Sequence, residues 1–320
     1  MSEAYPREPA ERDRWILGRR GPRNALDPLR AYAAFVEEEP TERGEIVPVA
    51  TVFLTNRECP WRCLMCDLWK NTLSETTPPG AIPAQIRGAL ETLSLARRVK
   101  LYNSGSFFDP KAILPEEYEE IARLVAGFER VIVESHPALV GAACLRFRDL
   151  LRGDLEVALG LETIHPEILP RLNKRMTLGQ FRRAASLLCS SGISVRVFVL
   201  LGLPFISETE SLRWACRSVE FAFEAGASAV SIIPTRPGNG ALDWLADQGE
   251  FCPPRLDSLE AAAAFGLGLG RGRVFADLWG LENLRRCGAC FPARVERLRT
   301  LNLRQRVPRP VSCSHCGGAA

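Results

Sequence analysis

The sequence predicts an α/β fold built on a parallel sheet, and three observations predict it. Between residues 45 and 240, short β-rich runs alternate six times with longer helical patterns. Most of those runs are nearly continuous apolar stretches rather than alternating ones, as in strands buried on both faces. The helical stretches carry start and stop signals at their ends. Strand–helix repeats with right-handed crossovers close either into a doubly wound sheet or into a barrel, and the pattern by itself leaves both open.

The first run is Val47–Leu54, then Val99–Tyr102, Arg130–Glu134, Leu155–Leu161, Ser194–Leu201 and Ala229–Pro234. Between them the spacing predicts helices. Ile82–Arg97 begins at a proline boundary. Pro115–Gly127 has proline in its first turn, followed by Glu116, Glu117, Glu119 and Glu120, which suits the positive end of a helix dipole. Ala138–Arg152 ends at Gly153, and Thr177–Ser191 opens on a threonine cap and stops at Gly192. Glu208–Ala225 stops at Gly226. Beyond residue 240 a helix at Leu256–Leu269, a short strand at Arg273–Trp279 and a helix at Ala293–Leu303 are expected. The chain divides into an N-terminal extension (1–44), a core (45–240) and a cysteine-rich extension (241–320).

The 320 residues are 46% hydrophobic, enough for a sizeable core, and the net charge of +3 does not mark a nucleic-acid binder. The charge is uneven. Residues 271–320 hold ten Arg, no Lys and three acidic residues. Such a tail either contacts phosphate or forms a solvated Arg-rich helix. No signal peptide and no run of about 18 apolar residues is seen, so a cytoplasmic protein without a membrane span is expected. In that reducing setting, eleven cysteines point to metal binding or redox work. Seven fall into two spaced clusters. Cys144, Cys189, Cys216 and Cys252 are scattered and read as small hydrophobic residues.

The first cluster, Cys59-Pro60-Trp61-Arg62-Cys63-Leu64-Met65-Cys66, lies directly after the first strand. Neither Cys nor His recurs before His136. Three thiolates on a four-iron cubane leave one iron open to a small molecule, whereas a ferredoxin site or a structural zinc site is closed by four ligands. A zinc site borrowing a distant ligand, or three unrelated thiols, is the competing reading.

On this C-x3-C-x2-C loop and the strands after it, residues 45–240 resemble the radical S-adenosylmethionine (SAM) superfamily. The resemblance implies a partial (βα)6 TIM-like barrel, with the chemistry at the C-terminal ends of its strands. It implies a [4Fe–4S] cluster on Cys59, Cys63 and Cys66 whose free iron chelates SAM. Reductive cleavage would then give a 5′-deoxyadenosyl radical that abstracts hydrogen from a substrate. A low-potential reductant such as ferredoxin or flavodoxin is implied as partner. The residue before the third cysteine, often aromatic in the superfamily, is Met65 here.

The same resemblance assigns SAM contacts. Asn103, Ser104 and Gly105 replace the usual Gly-Gly-Glu turn at the methionyl amine. Glu162 is the expected ribose ligand, and Glu134 lies near the sulfonium or the substrate; either carboxylate can instead cap the next helix. In the Leu172–Thr177 segment, Arg175 is expected at the SAM carboxylate because a guanidinium forks onto it. Gly202, in a Gly-x-Pro turn, lies along the adenine. Arg236 suits a substrate phosphate or carboxylate, and His136 and His165 read as polar helix-starting residues.

The second cluster pairs Cys287 and Cys290 with Cys313 and Cys316. Two CxxC knuckles fit a zinc ribbon, and the same four thiolates fit a second [4Fe–4S] cluster. Asn103–Pro110, Gly160–Glu162 and Leu172–Met176 are similar to the radical SAM subunit of archaeosine synthase and, more distantly, to the elongator catalytic subunit and the methylthiotransferases. That resemblance implies tRNA as partner and a modified nucleoside as substrate. The alternatives are a radical SAM enzyme acting on a small molecule or peptide with an auxiliary cluster, and a non-enzymatic protein with two zinc sites.

Overall fold

The computed structural model describes residues 4–316. Its elements run α1 (Pro9–Leu17), β1 (Ala33–Pro40), β2 (Ile46–Phe53), α2 (Ala81–Thr92), β3 (Arg98–Tyr102), α3 (Tyr118–Leu124), β4 (Arg130–Ser135), α4 (Ala142–Leu150) and β5 (Asp154–Glu162). They continue α5 (Ile168–Arg171), α6 (Leu178–Ser190), β6 (Ser194–Leu201), α7 (Glu208–Glu224), β7 (Ala229–Pro234), α8 (Ala241–Asp247), α9 (Leu256–Gly268), β8 (Arg273–Ala276) and α10 (Phe291–Arg304).

All eight strands form one sheet in chain order. The six expected strands are β2 to β7, each parallel to the next. β8 extends the parallel run, while β1 folds back antiparallel on β2. The sheet curls strongly. Tyr102 on β3 meets Phe198 on β6, ring centroids 6.2 Å apart, and Arg196 on β6 reaches Glu39 on β1 at 2.8 Å. Strands so far apart in the order touch only across a concave face, so the fold is the partial barrel and not the doubly wound sheet.

The outward faces of the strands are apolar because helices cover them. Val52, Leu101, Val133, Val157, Val197 and Val230 are all fully buried in one cluster with side chains of α2, α3, α6, α7 and α9. Thr177 and Ser207 cap α6 and α7 through reciprocal boxes with Gln180 and Glu210.

Three helices are shorter than their patterns. α2 stops where Leu93 turns extended to lead into β3. The stretch from Pro115 opens as a 3-10 turn before α3. Val140 and Gly141 break the stretch after His136, and α4 starts only at Ala142. The last strand stops at Ala276 because the Asp277 carboxylate accepts the Trp279 N–H and makes a turn.

The lower part of the barrel interior is ionic. Arg98, Lys100, Arg130, Arg196 and Arg273 point inward and meet Glu37, Glu39, Glu42, Asp154 and Glu156. β1 and the turn after it supply three of those anions. Burial works to raise Glu156, but Arg196 and Arg273 outweigh it and hold the carboxyl down to about 2.

A cysteine loop at the barrel mouth

The three cysteines occupy the loop after β2, at the C-terminal end of the sheet, and are half-buried. The loop is held by the chain around it. The Leu64 N–H donates to Leu172 O at 2.9 Å. Asn239, fully buried after β7, donates to the carbonyls of Leu64 (2.8 Å) and Cys66 (3.3 Å). Asn173 donates to Arg62 O at 2.8 Å. Glu58, just before the first cysteine, is gripped by Arg20, Arg23 and Arg62. Trp61 stacks on His136 with centroids 3.6 Å apart. His136 accepts the Ala138 N–H at Nδ1, which leaves the proton on Nε2 to donate to Lys174 O. Burial, reinforced by the Lys174 cation, holds this imidazole down to about 3, so it stays neutral.

Burial pushes each of the three thiols up to about 12, and they raise one another. Each must therefore release its proton when it binds a metal cation. Gly105 brings the turn after β3 against the loop. A Cβ there would lie 3.2 Å from Cys59 Cβ.

The turn after β3 directs its backbone amides at Glu134. Asn103 N and Gly105 N donate to its Oε1 at 2.7 and 3.3 Å. Burial nevertheless raises the Glu134 carboxyl. Ser104 joins the Tyr32 hydroxyl at 2.9 Å. The side-chain amide of Asn103 is buried with neither nitrogen nor oxygen partnered. Glu162 sits at a bulge at the end of β5 with φ +65° and pairs with Lys174 at 2.7 Å. Gly160 makes room for the pair, since a Cβ there would lie 2.4 Å from both charged atoms.

Arg175, which the sequence pointed to as the SAM-carboxylate residue, is 44% exposed and pairs with Asp13 of α1 at 2.5 Å. Its neighbour Lys174 turns inward and is taken up by the pair with Glu162. Gly202, with φ +85°, lies against Pro254 and donates its N–H to Ser211. Arg236 pairs with Asp277 at 2.8 Å.

An aromatic lining was not read from the sequence. Phe53 on β2 touches Tyr32 (5.5 Å), Tyr102 (6.0 Å) and Trp279 (6.3 Å), and Tyr102 touches Phe198. Apart from exposed Trp279 these rings are half-buried. The inward positions of each strand, counted by twos, would have found Phe53, Tyr102 and Phe198.

The donor set fits the two groups that the sequence resemblance implied. Three half-buried thiols suit three corners of a cubane, and the orphaned Asn103 amide and half-open Glu134 carboxylate suit the amino and carboxylate groups and the sulfonium of SAM.

Curled sheet and cysteine loop together define the class by fold, a partial parallel (βα) barrel with a three-cysteine loop at its mouth. The solved structure of Elp3 from Methanocaldococcus infernus superposes with TM-score 0.50 at 17% identity, over 72% of this chain and 56% of that one. Methylornithine synthase superposes with TM-score 0.51 at 15% identity, over 72% and 67%. Both are radical SAM enzymes, and both likenesses are of fold.

Sequence relatives are more particular. Archaeosine synthase subunit beta of Methanosarcina acetivorans is 29% identical over 289 residues, 83% of this chain and 81% of that protein. The subunit of the same name from Thermococcus kodakarensis is 28% identical over 204 residues, 61% and 63%. No protein-family model matches the chain. Among the described residues, no helix is long and apolar enough to cross a membrane.

Proposed function

We propose that the protein is a radical SAM enzyme acting on a modified nucleoside of tRNA. The observation that carries the reading is a loop offering three half-buried thiols, and no fourth, at the mouth of a barrel with the fold of Elp3 and methylornithine synthase. When bound, the cluster supplies one electron for reductive cleavage of the SAM carbon–sulfur bond. The chain's own residues do the rest. Cys59, Cys63 and Cys66 hold the metal. The Asn103–Gly105 turn and Glu134 receive the methionyl end. Glu162 takes the ribose hydroxyls, with Lys174 fixing its orientation, and the Gly202 turn lines the adenine.

The nucleoside reading is supported by the half-buried rings across the mouth, which offer a stacking surface to a planar base. It is also supported by the shared name of two relatives and by unpaired, exposed Arg285, Arg286, Arg306 and Arg309 in the tail. The setting is the reducing cytoplasm, with ferredoxin or flavodoxin as electron donor. The four tail cysteines form a second metal site, apart from the radical chemistry.

The test is anaerobic reconstitution followed by reduction with SAM. Release of 5′-deoxyadenosine is expected, with about four irons per chain outside the tail. Protein without inorganic sulfide, or unchanged nucleoside release from the Cys63→Ala variant, overturns the radical reading. The substrate reading fails separately if tRNA from a strain lacking the protein shows no changed nucleoside.

A further inference from the structure

The tail has a geometry of its own. The sulfurs of Cys287, Cys290, Cys313 and Cys316 all lie within 4.8 Å of one another. Cys287 Sγ stands 3.9 Å from Cys313 Sγ, and Cys290 Sγ stands 3.8 Å from Cys316 Sγ. A disulfide needs about 2.05 Å, so these pairs are not bonded. Four thiolates at about 2.3 Å from one tetrahedral ion stand about 3.8 Å apart, close to the observed separations. A cubane places each thiolate on a different iron and spreads its ligands much farther. The site therefore fits one ion and is too tight for a second cluster.

What the site holds together is as specific. Cys290 is the N-cap of α10. α10 straddles the seam of the half-barrel, packing on both edge strands, β1 and β8. Arg273 and Asp277 turn their N–H groups to β7, so Val274 and Ala276 turn theirs to the open edge. Two amide side chains of α10 and its C-cap meet them. Gln305 accepts from Val274 N at 2.8 Å and donates to Val274 O at 2.9 Å. Asn302 accepts from Ala276 N and donates to Ala276 O, both at 2.8 Å. These pairs do the work of a ninth strand on an edge that would otherwise be bare. After α10 the chain turns back, with Arg297 donating to the carbonyls of Pro308 and Arg309. The rest of that return is mostly exposed, with little apolar contact to fix it.

We propose that the four tail cysteines bind a single structural zinc ion, and that this ion latches α10 over the barrel seam so that Asn302 and Gln305 seal the edge of β8. Zinc suits the site because it is thiophilic, takes four sulfurs tetrahedrally and has no redox chemistry to compete with the cluster at the mouth. The proposal extends the reading of the tail as a separate metal site. It does not depend on the radical chemistry, because no latch residue lies in the cysteine loop.

The experiment uses the full-length protein, purified anaerobically. Elemental analysis should give one zinc per chain, and zinc-edge X-ray absorption should give four sulfurs at about 2.3 Å. Zinc is then removed with an organomercurial, its release followed by a colorimetric chelator, and the amides of Val274 and Ala276 are followed by hydrogen exchange. Their exchange should rise about tenfold or more while strands β3 to β5 stay protected. Should the zinc-free protein fail to stay folded, Asn302→Ala with Gln305→Ala gives the second arm. It should keep its zinc and still lose protection at Val274 and Ala276. Iron and sulfide in place of zinc at the tail, or unchanged exchange at those two amides after zinc loss, overturns the proposal. Absence of iron from the mouth with zinc and latch intact would sink the radical reading and leave this one standing.

Discussion

The two ends of the barrel interior are built on opposite terms. At the floor, five inward cations meet five anions, and every one of these charges has a partner of opposite sign in the chain. Some guanidinium nitrogens, such as Arg98 Nε and Arg273 Nε, lack an acceptor, but the charge is balanced. At the mouth, three thiols are held neutral by burial, a carboxyl is raised and a buried amide has no partner. The floor is complete as it stands, whereas the mouth is finished by what it binds. Buried polar groups without partners are costly, and a folded chain keeps them where a ligand will satisfy them. Damage at the floor should therefore cost stability, and damage at the mouth should cost binding and chemistry.

The sharpest break comes at the mouth. Replacing Cys63 with Ser should remove cluster iron and abolish 5′-deoxyadenosine release, while thermal unfolding of the metal-free protein stays within about 0.5 kcal/mol of the parent. A large loss of apo stability would mean that the two ends are not separable.

At the floor, Arg196→Met leaves Glu39 and Glu156 facing each other without their main cation. Denaturant unfolding should show a loss of about 3–5 kcal/mol. SAM cleavage at a temperature where the variant is folded should be nearly unchanged; a comparable fall in cleavage would erase the distinction.

The floor also predicts an acid response. Glu156 and Glu42 are depressed to about 2 and Glu39 lower still, where burial is outweighed by Arg196 and Lys100 for Glu39 and by Arg273 and Arg130 for Glu42. An unfolded glutamate titrates near 4.3, so below that pH the unfolded chain takes up protons that the folded one refuses. The stabilisation is thus full above about pH 4.5 and disappears as pH falls towards 2. A midpoint of denaturation flat between pH 5 and 3 would show that the network contributes nothing.

At the mouth, Glu134→Gln keeps an oxygen for the Asn103 and Gly105 amides but removes the charge. SAM affinity should weaken by about tenfold, or 1.4 kcal/mol, without loss of stability. The smallest effect separates neighbours. Arg175→Met breaks an exposed pair with Asp13 and a bond to the Pro9 carbonyl, and should cost about 0–1 kcal/mol with SAM cleavage intact. Lys174→Met should impair cleavage, because Glu162 then lies buried without its cation. Equal effects of the two substitutions on cleavage would mean that inward placement does not matter here.

Much of this was legible in the chain. The six core strands and their caps follow from periodicity and end signals, which act over a few residues. The three-cysteine loop and the two tail knuckles follow from spacing. The strand β1 was not legible. Its segment carries Glu37, Glu38 and Glu39 and reads as a charged extension, yet Glu37 and Glu39 point into the barrel to neutralise Lys100 and Arg196. Nothing local announces a partner 157 residues away.

What the sequence alone determined is the order of the six core strands with the helices between them and the spacing of both cysteine sets, because hydrogen-bond periodicity and cysteine spacing are local. Tertiary structure decided which way side chains face once the sheet curls. It turned Lys174 inward and Arg175 outward, where left-handed turns at Asn173 (φ +57°) and Arg175 (φ +56°) override any simple alternation. It stacked Trp61 on His136 and set Asn302 and Gln305 along the edge of β8. It also brought four tail sulfurs to the separation of a single ion, which the spacing of the cysteines alone does not set.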